Sequence, residues 1–425
     1  MNRTAPPGAQ GERPRLGACP LCCHEHLDYQ FTHGGTPIVS CVACGLLMRN
    51  PQPSDAELSE MAGSRGVAST AAIGTSSDRT ATLDLIERSR NPLTTLGEIR
   101  HGLQPGGRLV LTVPDLDRRA ARLKSGRLDD IAPDHLFFFD RQTVQSLLFR
   151  TGFEHVAISR RGAATEIVAH RSDGPPPISR STRLTVVMPV FNEHDTFLEI
   201  FEQVHAKTLP GVDIDLLLVE SNSTDGTRAL VQQIEKRPRV VVIYEDRPRG
   251  KGHAVRAGLA QASGDLVLIQ DADLEYDVDD YDQLVEPIVT GRAAFVLGVR
   301  HGMDGKTWKM RHFADQVVVG QAMNVGHLFF TGLFNVVYGQ RMRDPFTMFK
   351  VFRRDCLYGL TFESNRFDFD WELVAKLVRA GYIPLEIPVN YSSRSFSKGK
   401  KVSLWRDPWT FFRACFKYRF VSLGK

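Results

Sequence analysis

The chain has 425 residues, of which 53 are Lys or Arg and 49 are Asp or Glu, so its formal net charge is only +4. This length suggests roughly two or three domains, and 42% hydrophobic with 24% charged residues is a globular composition. So small a net charge gives no support for a nucleic-acid partner, and none is expected. Residues 1–17 lack the apolar run of a secretory signal and are expected to form a disordered leader.

Near the N-terminus, cysteines occur as two C-x2-C pairs. The four members are Cys19, Cys22, Cys41 and Cys44. This spacing is typical of a zinc ribbon, in which four thiolates hold a structural Zn²⁺ in a closed tetrahedral site. Cys23 and His24 are alternative ligands, but the paired spacing favours the four, and unliganded reduced cysteines are the remaining alternative. We therefore expect a zinc ribbon over residues 18–60 that folds around its metal.

The next segment contains a helix and strand pattern. Residues 91–115 predict a helix, a Pro-Gly-Gly turn and a strand, and an amphipathic helix is expected over 141–151. These elements resemble the back half of a class I S-adenosylmethionine-dependent methyltransferase that carries an N-terminal zinc ribbon. The glycine-rich turn and the acidic strand end of the cofactor site are missing. We therefore interpret residues 80–171 as a truncated, Rossmann-like fragment that binds no S-adenosylmethionine and has a docking or scaffolding role.

Beyond a proline-rich linker at residues 172–182, apolar strands alternate with helical patterns. Strands are expected over residues 184–190, 214–220, 240–245, 265–270 and 294–299. Helices are expected over residues 195–207, 226–235, 253–262 and 279–289. This alternation predicts an α/β domain with a mostly parallel sheet covered by helices on both faces. Ligands of such sheets bind at the carboxyl ends of the strands.

Two carboxylates follow one of these strand ends. Asp271 and Asp273 are two residues apart, so both side chains can leave the strand on the same side. Carboxylate oxygens so placed suit one hard cation, Mg²⁺ or Mn²⁺, which can neutralise a departing diphosphate. A solvated acidic turn is the alternative for an isolated Asp-x-Asp. Polar residues after two neighbouring strands, at 189–193 and 220–222, favour a binding site.

Eight sequence blocks occur in a recognisable order over the C-terminal half. They are PVFNE (189–193), VESNSTDGT (219–227), RGKGHAVRAGLAQASGD (249–265), DADLEYD (271–277), LGVR (297–300), RDPFTMFKVFRR (343–354), RFDFDWELVAKLVRAGY (366–382) and EIPVNYSSRSFSKGKKV (386–402). Together they resemble a family 2 glycosyltransferase of the GT-A fold, within the subgroup of dolichol-phosphate mannosyltransferase and related polyprenyl-phosphate enzymes. The resemblance implies a GT-A nucleotide-sugar-binding domain over residues 183–403.

The implied activity is metal-dependent, inverting transfer of a sugar from a nucleotide sugar to an acceptor, with a polyprenyl phosphate as the leading acceptor. One alternative is a glycosyltransferase that acts on a soluble hydroxyl acceptor. Another is a non-catalytic protein in which the zinc ribbon and the methyltransferase-like fragment serve interactions. A methyltransferase is disfavoured because the front half of its cofactor site is missing.

The resemblance also assigns roles to residues. It places the nucleotide against Pro189, Phe191, Glu193 and Glu220. Glu220 stands where the family usually has Asp, and Ser221-Asn222 replaces the usual Asp-Gly. The segment 225–227 is expected to begin a helix.

The cation would be held by Asp271 and Asp273, with Glu275 as a possible third ligand. Arg300 would stabilise the diphosphate leaving group beside it, and Arg394 matches the family's phosphate-binding arginine.

Further charged residues surround these positions. Lys251 lies in a Gly-flanked loop that is either a phosphate contact or a solvated turn. Lys398, Lys400 and Lys401 follow Arg394 and belong either to a mobile phosphate-binding loop or to a solvated charge run. If the acceptor is a hydroxyl, a general base is required, and Asp344 and Asp370 are the candidates.

The C-terminal segment is basic and aromatic. Residues 394–425 contain Arg or Lys at nine positions and one acid, Asp407, and a basic amphipathic helix is expected over 404–425. Such helices lie in a membrane interface, although the aromatic rings can instead pack on the domain core. The apolar run 317–338 is interrupted by polar residues and is expected to be a buried or interfacial helix. We expect a cytoplasmic protein in peripheral contact with the inner face of the membrane.

Overall fold

The computed structural model describes residues 13–62, 76–114, 133–161, 164–173, 176, 181–300, 317–393 and 407–423. The chain divides into two compact units, Met1–Pro176 and Pro177–Lys425. The boundary falls inside the segment expected to be a linker, 172–182. Each unit is described by itself below, and the elements are numbered in chain order among the described residues.

The N-terminal unit contains two small sheets. Its strands are β1 (Leu27–His33), β2 (Thr36–Cys41), β3 (Leu47–Arg49), β4 (Ser76–Thr82), β5 (Leu103–Pro114), β6 (Phe137–Phe138), β7 (Phe153–Arg161) and β8 (Ala164–Arg171), and its helices are α1 (Asp55–Ala62), α2 (Leu83–Glu87), α3 (Pro92–His101) and α4 (Arg141–Arg150). One sheet has the order β1-β2-β3-β6 and the other the order β4-β5-β8-β7. Because β6 pairs with β3, the cysteine-rich segment and the segment after it share a sheet.

The expected Pro-Gly-Gly turn between helix and strand is absent. Strand β5 begins at Leu103, directly after α3, and runs through the Pro-Gly-Gly sequence. Its parallel pairing with β4 is interrupted there, because the register shifts between the partners of Leu103 and Arg108. Gly106 has a φ of 70°, which glycine adopts without steric cost. The tripeptide therefore makes an irregularity inside a strand, which a local turn signal cannot distinguish from a true turn.

The C-terminal unit alternates strands and helices as expected. Its strands are β9 (Thr182–Val190), β10 (Val212–Glu220), β11 (Val240–Tyr244), β12 (Leu266–Ile269), β13 (Phe295–Val299), β14 (Lys350–Arg353) and β15 (Leu385–Pro388), and its helices are α5 (Phe197–Ala206), α6 (Thr227–Ile234), α7 (Lys251–Gln261), α8 (Tyr281–Val289), α9 (Val317–Tyr338), α10 (Phe369–Arg379) and α11 (Asp407–Phe420). The five predicted strands and four predicted helices are present, with ends that differ by at most two residues.

These strands form one sheet in the order β11-β10-β9-β12-β14-β13-β15. Strands β11, β10, β9 and β12 are mutually parallel, β13 is parallel to β15, and β14 runs antiparallel to both of its neighbours. Every residue of β12 is buried, as expected for a central strand covered on both faces. The mostly parallel α/β architecture expected of a GT-A domain is confirmed.

Helices α9, α10 and α11 pack together beside this sheet. The Phe330 and Phe411 rings are 5.8 Å apart, and the Tyr338 hydroxyl donates a hydrogen bond of 2.8 Å to the carbonyl of Cys415. Among the helices of the described residues, none is both long and apolar enough to cross a lipid bilayer. Helix α9 has both buried and exposed residues.

Candidate functional site

The site lies where the parallel strands β9, β10 and β12 end, and two loops are locked together there. The amide of Asn192 donates to the Ser223 hydroxyl at 3.0 Å, and the amide of Thr224 donates to the Asn192 side-chain oxygen at 2.9 Å. Asn192 and Asn222 have φ values of 49° and 57°. Asparagine tolerates this left-handed region better than most side chains, so it allows both tight turns.

A cavity of about 720 Å³ opens at this edge of the sheet. It is lined by most of the residues that the sequence predicted for the site, namely Pro189, Phe191, Glu193, Asp271, Asp273, Glu275 and Arg300. It is also lined by Ser221, Lys251, Tyr391 and Asp370. The fold thus brings the residues predicted to contact the nucleotide sugar and the residues predicted to hold the metal into one cavity.

Glu220 is fully buried behind this cavity. Its carboxylate accepts hydrogen bonds from the amides of Asn222 at 3.2 Å and Ser223 at 2.7 Å, and Arg228 lies 3.2 Å from it. Through these contacts, Glu220 stabilises the conformation of the loop after β10. A direct contact between Glu220 and the nucleotide stays a prediction.

The acidic residues after β12 differ in their partners. One Asp273 oxygen accepts the amide of Glu275 at 3.1 Å, and the Glu275 carboxylate accepts the Tyr391 hydroxyl at 2.7 Å. Within the described part of the chain, Asp271, Asp273 and Glu275 are not gathered into a three-ligand cluster. The pair Asp271 and Asp273, both facing the cavity, suits one hard cation that completes its shell with phosphate oxygens and water. Glu275 as third ligand stays a prediction.

A cationic side chain, Lys251, lies against the acidic residues at this edge of the sheet. Its Nζ lies 2.5 Å from Asp271 Oδ1. Burial by itself would lower the pKa of the Lys251 ammonium, but the charges of Asp271 and Asp370 outweigh burial and raise that pKa. The loop that the sequence described as either a phosphate contact or a solvated turn is therefore part of the site.

Arg300 is fixed in place by a buried carboxylate. Its Nε and Nη2 donate to the two oxygens of Asp344 at 2.7 and 2.8 Å, and its guanidinium lies 5.3 Å from the ring centre of Tyr391. Burial would raise the pKa of Asp344, but the Arg300 charge lowers it well below its usual range. A fully buried carboxylate in a bidentate pair cannot serve an incoming hydroxyl, so Asp344 positions Arg300 and is not a general base.

Asp370 remains the carboxylate at the site that could act as a base. It lines the cavity and accepts a 2.8 Å hydrogen bond from the fully buried Nζ of Lys350. Burial lowers the pKa of the Lys350 ammonium, and the negative charge of Asp370 offsets this only in part.

Aromatic rings line part of the cavity, its aromatic end. Phe346 and Trp371 stack with ring centres 3.9 Å apart, and Phe411 also stacks with Trp371, at 5.8 Å. Phe330 and Met323 of α9 complete this apolar end. Sequence reasoning missed it, because the residues belong to four separate segments whose only shared signal was a high aromatic content.

Several predicted residues cannot be placed. Arg394, Lys398, Lys400 and Lys401 lie outside the described residues. The strand-like segment before them is described as far as residue 393, and there Tyr391 forms an isolated bridge to Tyr276. The phosphate-binding role of Arg394 stays a prediction.

A second cluster lies within the N-terminal unit. The sulfur atoms of Cys19, Cys22, Cys41 and Cys44 all lie within 4.8 Å of one another, and all four residues are buried, whereas Cys23 is exposed. The Cys19–Cys44 and Cys22–Cys41 sulfur pairs are 3.6 and 3.4 Å apart. Four ligands at 2.3 Å from a tetrahedral zinc are about 3.8 Å apart, so the cluster fits this ion.

Comparison with known proteins identifies the C-terminal region. Residues 185–360 match the family described as Glycosyl transferase family 2. The chain is 24% identical over 222 residues to the dolichol-phosphate mannosyltransferase of Pyrococcus furiosus, covering 52% of this chain and 60% of the relative. It is 26% identical over 221 residues to the undecaprenyl-phosphate 4-deoxy-4-formamido-L-arabinose transferase of Enterobacter sp. (strain 638), covering 51% and 62%. The chain thus spans less than two thirds of the length of these curated relatives.

Among solved structures, the chain is similar to glucosyl-3-phosphoglycerate synthase from Mycobacterium tuberculosis in complex with Mn²⁺, UDP-glucose and phosphoglyceric acid. The TM-score is 0.40 at 19% identity, and the similarity covers 57% of this chain and 81% of that one.

Proposed function

We propose that this chain, whose residues 185–360 form a family 2 glycosyltransferase domain, is a metal-dependent, inverting glycosyltransferase that uses a nucleotide sugar. The observation that carries the proposal is the placement of Asp271, Asp273 and Arg300 around one cavity at the carboxyl edge of a parallel sheet. Two carboxylates for a cation and a fixed guanidinium are what a departing diphosphate requires.

Each charged group has a role that follows from its contacts. Asp271 and Asp273 would hold Mg²⁺ or Mn²⁺, which when bound supplies positive charge to the diphosphate. Arg300 is held by Asp344 before any substrate arrives, so its orientation costs no reorganisation during the reaction. Lys251 is a further cation on the same side, and displacement from Asp271 would free it for a phosphate oxygen.

For the acceptor we propose a polyprenyl phosphate. The two curated relatives named above carry dolichol-phosphate and undecaprenyl-phosphate in their names. The aromatic end of the cavity, formed by Phe330, Phe346, Trp371 and Phe411, offers an apolar surface next to the charged end. An anionic phosphate oxygen can attack the sugar directly, so no general base is obligatory. Attack opposite the leaving diphosphate inverts the anomeric centre.

A soluble hydroxyl acceptor is the second candidate. A hydroxyl must lose a proton as it attacks, and Asp370 is a carboxylate that lines the cavity and could accept it. Its ion pair with Lys350 holds this carboxylate in place. The two acceptor classes therefore differ in their dependence on Asp370.

We also propose peripheral contact with the inner face of the membrane. On α11, Trp409, Phe412, Phe416 and Phe420 recur at intervals of three or four residues and are all exposed, whereas Tyr418 is buried. The sequence left open whether the aromatic rings of this helix lie in a membrane interface or pack on the domain core. In the structure, one face of the helix exposes its rings and Tyr418 on another face is buried. On α9, the exposed side chains Val318, Val325, Phe329 and Val336 also fall on one face. Exposed apolar stripes with flanking basic residues favour a lipid surface.

For the N-terminal unit we propose a structural zinc ribbon joined to a methyltransferase remnant. The cysteine cluster supports the zinc site. In the part of the chain that the structure describes, β4 is an edge strand that pairs with β5 alone. The expectation that this unit binds no S-adenosylmethionine rests on the sequence, which lacks the glycine-rich turn and the acidic strand end of such a cofactor site.

The proposed function is tested by release of nucleoside diphosphate from a panel of sugar nucleotides, with Mn²⁺ or with EDTA. We expect the wild type to release nucleoside diphosphate in Mn²⁺ but not in EDTA. For Asp273→Asn we expect the release rate in Mn²⁺ to fall by about 100-fold or more, because this substitution deletes a ligand charge while nearly keeping the shape of the side chain. Asp279→Asn is the matched control, because Asp279 is an exposed acid paired with Lys207 on the same unit. Equal release in EDTA would contradict the metal assignment, and no release from any sugar nucleotide would contradict the function.

A further inference from the structure

We propose that Glu245 is a positioning residue that determines which nucleobase the donor carries, by fixing the hydroxyl of Ser221 as a hydrogen-bond acceptor toward the cavity. This inference rests on the proposed function. Ser221 belongs to one of the sequence blocks described above, whereas Glu245 lies outside all of them. Glu245 directly follows β11, and Ser221 directly follows β10, so the two lie at the same edge of the sheet.

The contacts define the direction of each hydrogen bond. The Ser221 hydroxyl donates to Glu245 Oε2 at 2.6 Å, and His253 Nδ1 contacts the other carboxylate oxygen, Oε1. Ser221 and Glu245 are both more than nine-tenths buried. An ionised carboxylate only accepts hydrogen bonds, so the single Ser221 proton is committed to Glu245.

The surroundings keep this arrangement rigid. The Glu245 amide donates to the Glu220 carbonyl at 2.8 Å, and Arg228 Nη1 donates to the Glu245 carbonyl at 3.3 Å and to the Asn222 side chain at 2.8 Å. The Ser221 amide donates to the Val190 carbonyl at 3.0 Å. The backbone of Ser221 is therefore held in place, and the hydrogen bond to Glu245 directs its hydroxyl proton away from the cavity that it lines.

The consequence is a polar group that presents only lone pairs to a bound base. Pro189, Phe191 and Pro248 line the same cavity as Ser221, and they provide apolar surface suited to a flat ring. A base with a ring N–H on its pairing edge, uracil or guanine, can donate to Ser221. Cytosine and adenine present a ring nitrogen lone pair at that position, which would face another acceptor and lose its hydrogen bond.

The test measures affinities of the full chain for UDP, GDP, CDP and ADP by calorimetry with Mn²⁺. For the wild type, we expect UDP or GDP to bind at least about tenfold more tightly than CDP and ADP. Glu245→Gln can donate its amide proton to Ser221, which frees the hydroxyl to donate into the cavity, so the preference should fall about tenfold. Ser221→Ala removes the acceptor and should lower the preference similarly. Asp246→Asn, at the exposed neighbour, should leave it unchanged.

The outcomes separate this inference from the function on which it rests. Preferred binding of CDP or ADP by the wild type, or an unchanged preference in both Glu245→Gln and Ser221→Ala, would overturn the inference and leave the glycosyltransferase proposal standing. Binding of none of the four nucleotides by the wild type would overturn both. A general loss of structure would weaken all four nucleotides alike, whereas a change in their ratio requires the proposed contact. Ser221→Ala removes a single oxygen atom, so it still tests the inference if Glu245→Gln does not fold.

Discussion

At the residue scale, the site depends on ion pairs between residues far apart in the sequence. Arg300 and Asp344 form a bidentate pair in which both side chains are almost completely buried. Removing one partner of such a pair leaves the other charge buried without compensation, which costs about 3–5 kcal/mol. The same pair orients the guanidinium toward the cavity, so stability and proposed function are coupled at this position.

This pair gives a pH-dependent prediction for Asp344→Asn. The pKa of Asp344 is lower in the folded state than in the unfolded state, so the stabilisation is complete above the unfolded value of about 4 and is lost as the pH falls through the folded value. The unfolding free energies of wild type and variant should therefore differ by a constant amount from about pH 7 to 5 and converge below about pH 4. All four tryptophans lie in the C-terminal unit, so their fluorescence in urea reports this unit. A difference that grows on acidification would contradict the assignment.

What the sequence could predict at this scale depended on local spacing. Asp271 and Asp273 are two residues apart just after β12, so the alternation of side chains was enough to predict that they lie close together. The contacts of Lys251 with Asp271 and of Ser221 with Glu245 depend on which strands are neighbours and on their register. Sequence alone does not fix either of these, because many loop conformations satisfy the same local pattern.

At the scale of elements, five of the seven described strands of the sheet could be predicted because they are short apolar runs, whereas β14 and β15 were not predicted. The helices around the aromatic end of the cavity were harder. Phe330 of α9, Trp371 of α10 and Phe411 of α11 meet there although long segments separate them. Helices were expected for the segments of α9 and α11 but not for α10, and the sequence did not show which face of each helix would be covered by the others.

The exposed face of α11 leads to a prediction about lipid vesicles. We expect the wild type to sediment with anionic phosphatidylglycerol vesicles at low salt and to be released in part by high salt, which screens the basic residues. The double variant Trp409→Ser/Phe416→Ser removes two exposed rings and should reduce binding on the order of fivefold or more. Tyr29→Ser, an exposed aromatic of the N-terminal unit, is the control and should not change it. Wild-type protein that stays in the supernatant would contradict membrane contact and favour a soluble acceptor.

At the scale of the whole molecule, the chain combines two compact units with different stabilisation. The N-terminal unit has small sheets and a buried cysteine cluster, so metal would contribute to its stability, whereas the C-terminal unit has a large sheet with buried strands. The sequence distinguished the two because cysteine spacing and strand alternation are both local signals. It did not show that the ribbon segment pairs with the segment after it, because strand β6 is only two residues long.

The division into units predicts separable effects for Cys41→Ser. We expect the wild type to contain about one zinc per chain and the variant to lose it, because a closed four-thiolate site does not tolerate a missing ligand. Nucleotide binding by the C-terminal unit should be unchanged, and calorimetry should detect no S-adenosylmethionine binding to the wild type. Elemental analysis alongside nucleotide titration checks both statements. Zinc that remains stoichiometric in the variant, or tight S-adenosylmethionine binding, would contradict the description of the N-terminal unit.

The most direct measurement of the central claim is the transfer reaction itself. Full-length protein is incubated with Mn²⁺, radiolabelled sugar nucleotides and a polyprenyl phosphate in detergent, and the label in the lipid phase is counted and identified by mass spectrometry. We predict a sugar–phosphate–polyprenol product with the wild type, none with Asp273→Asn, and retained product with Asp370→Asn, since a phosphate acceptor needs no base. Release of nucleoside diphosphate without any labelled lipid, together with transfer to a soluble hydroxyl that Asp370→Asn abolishes, would contradict the lipid-phosphate acceptor.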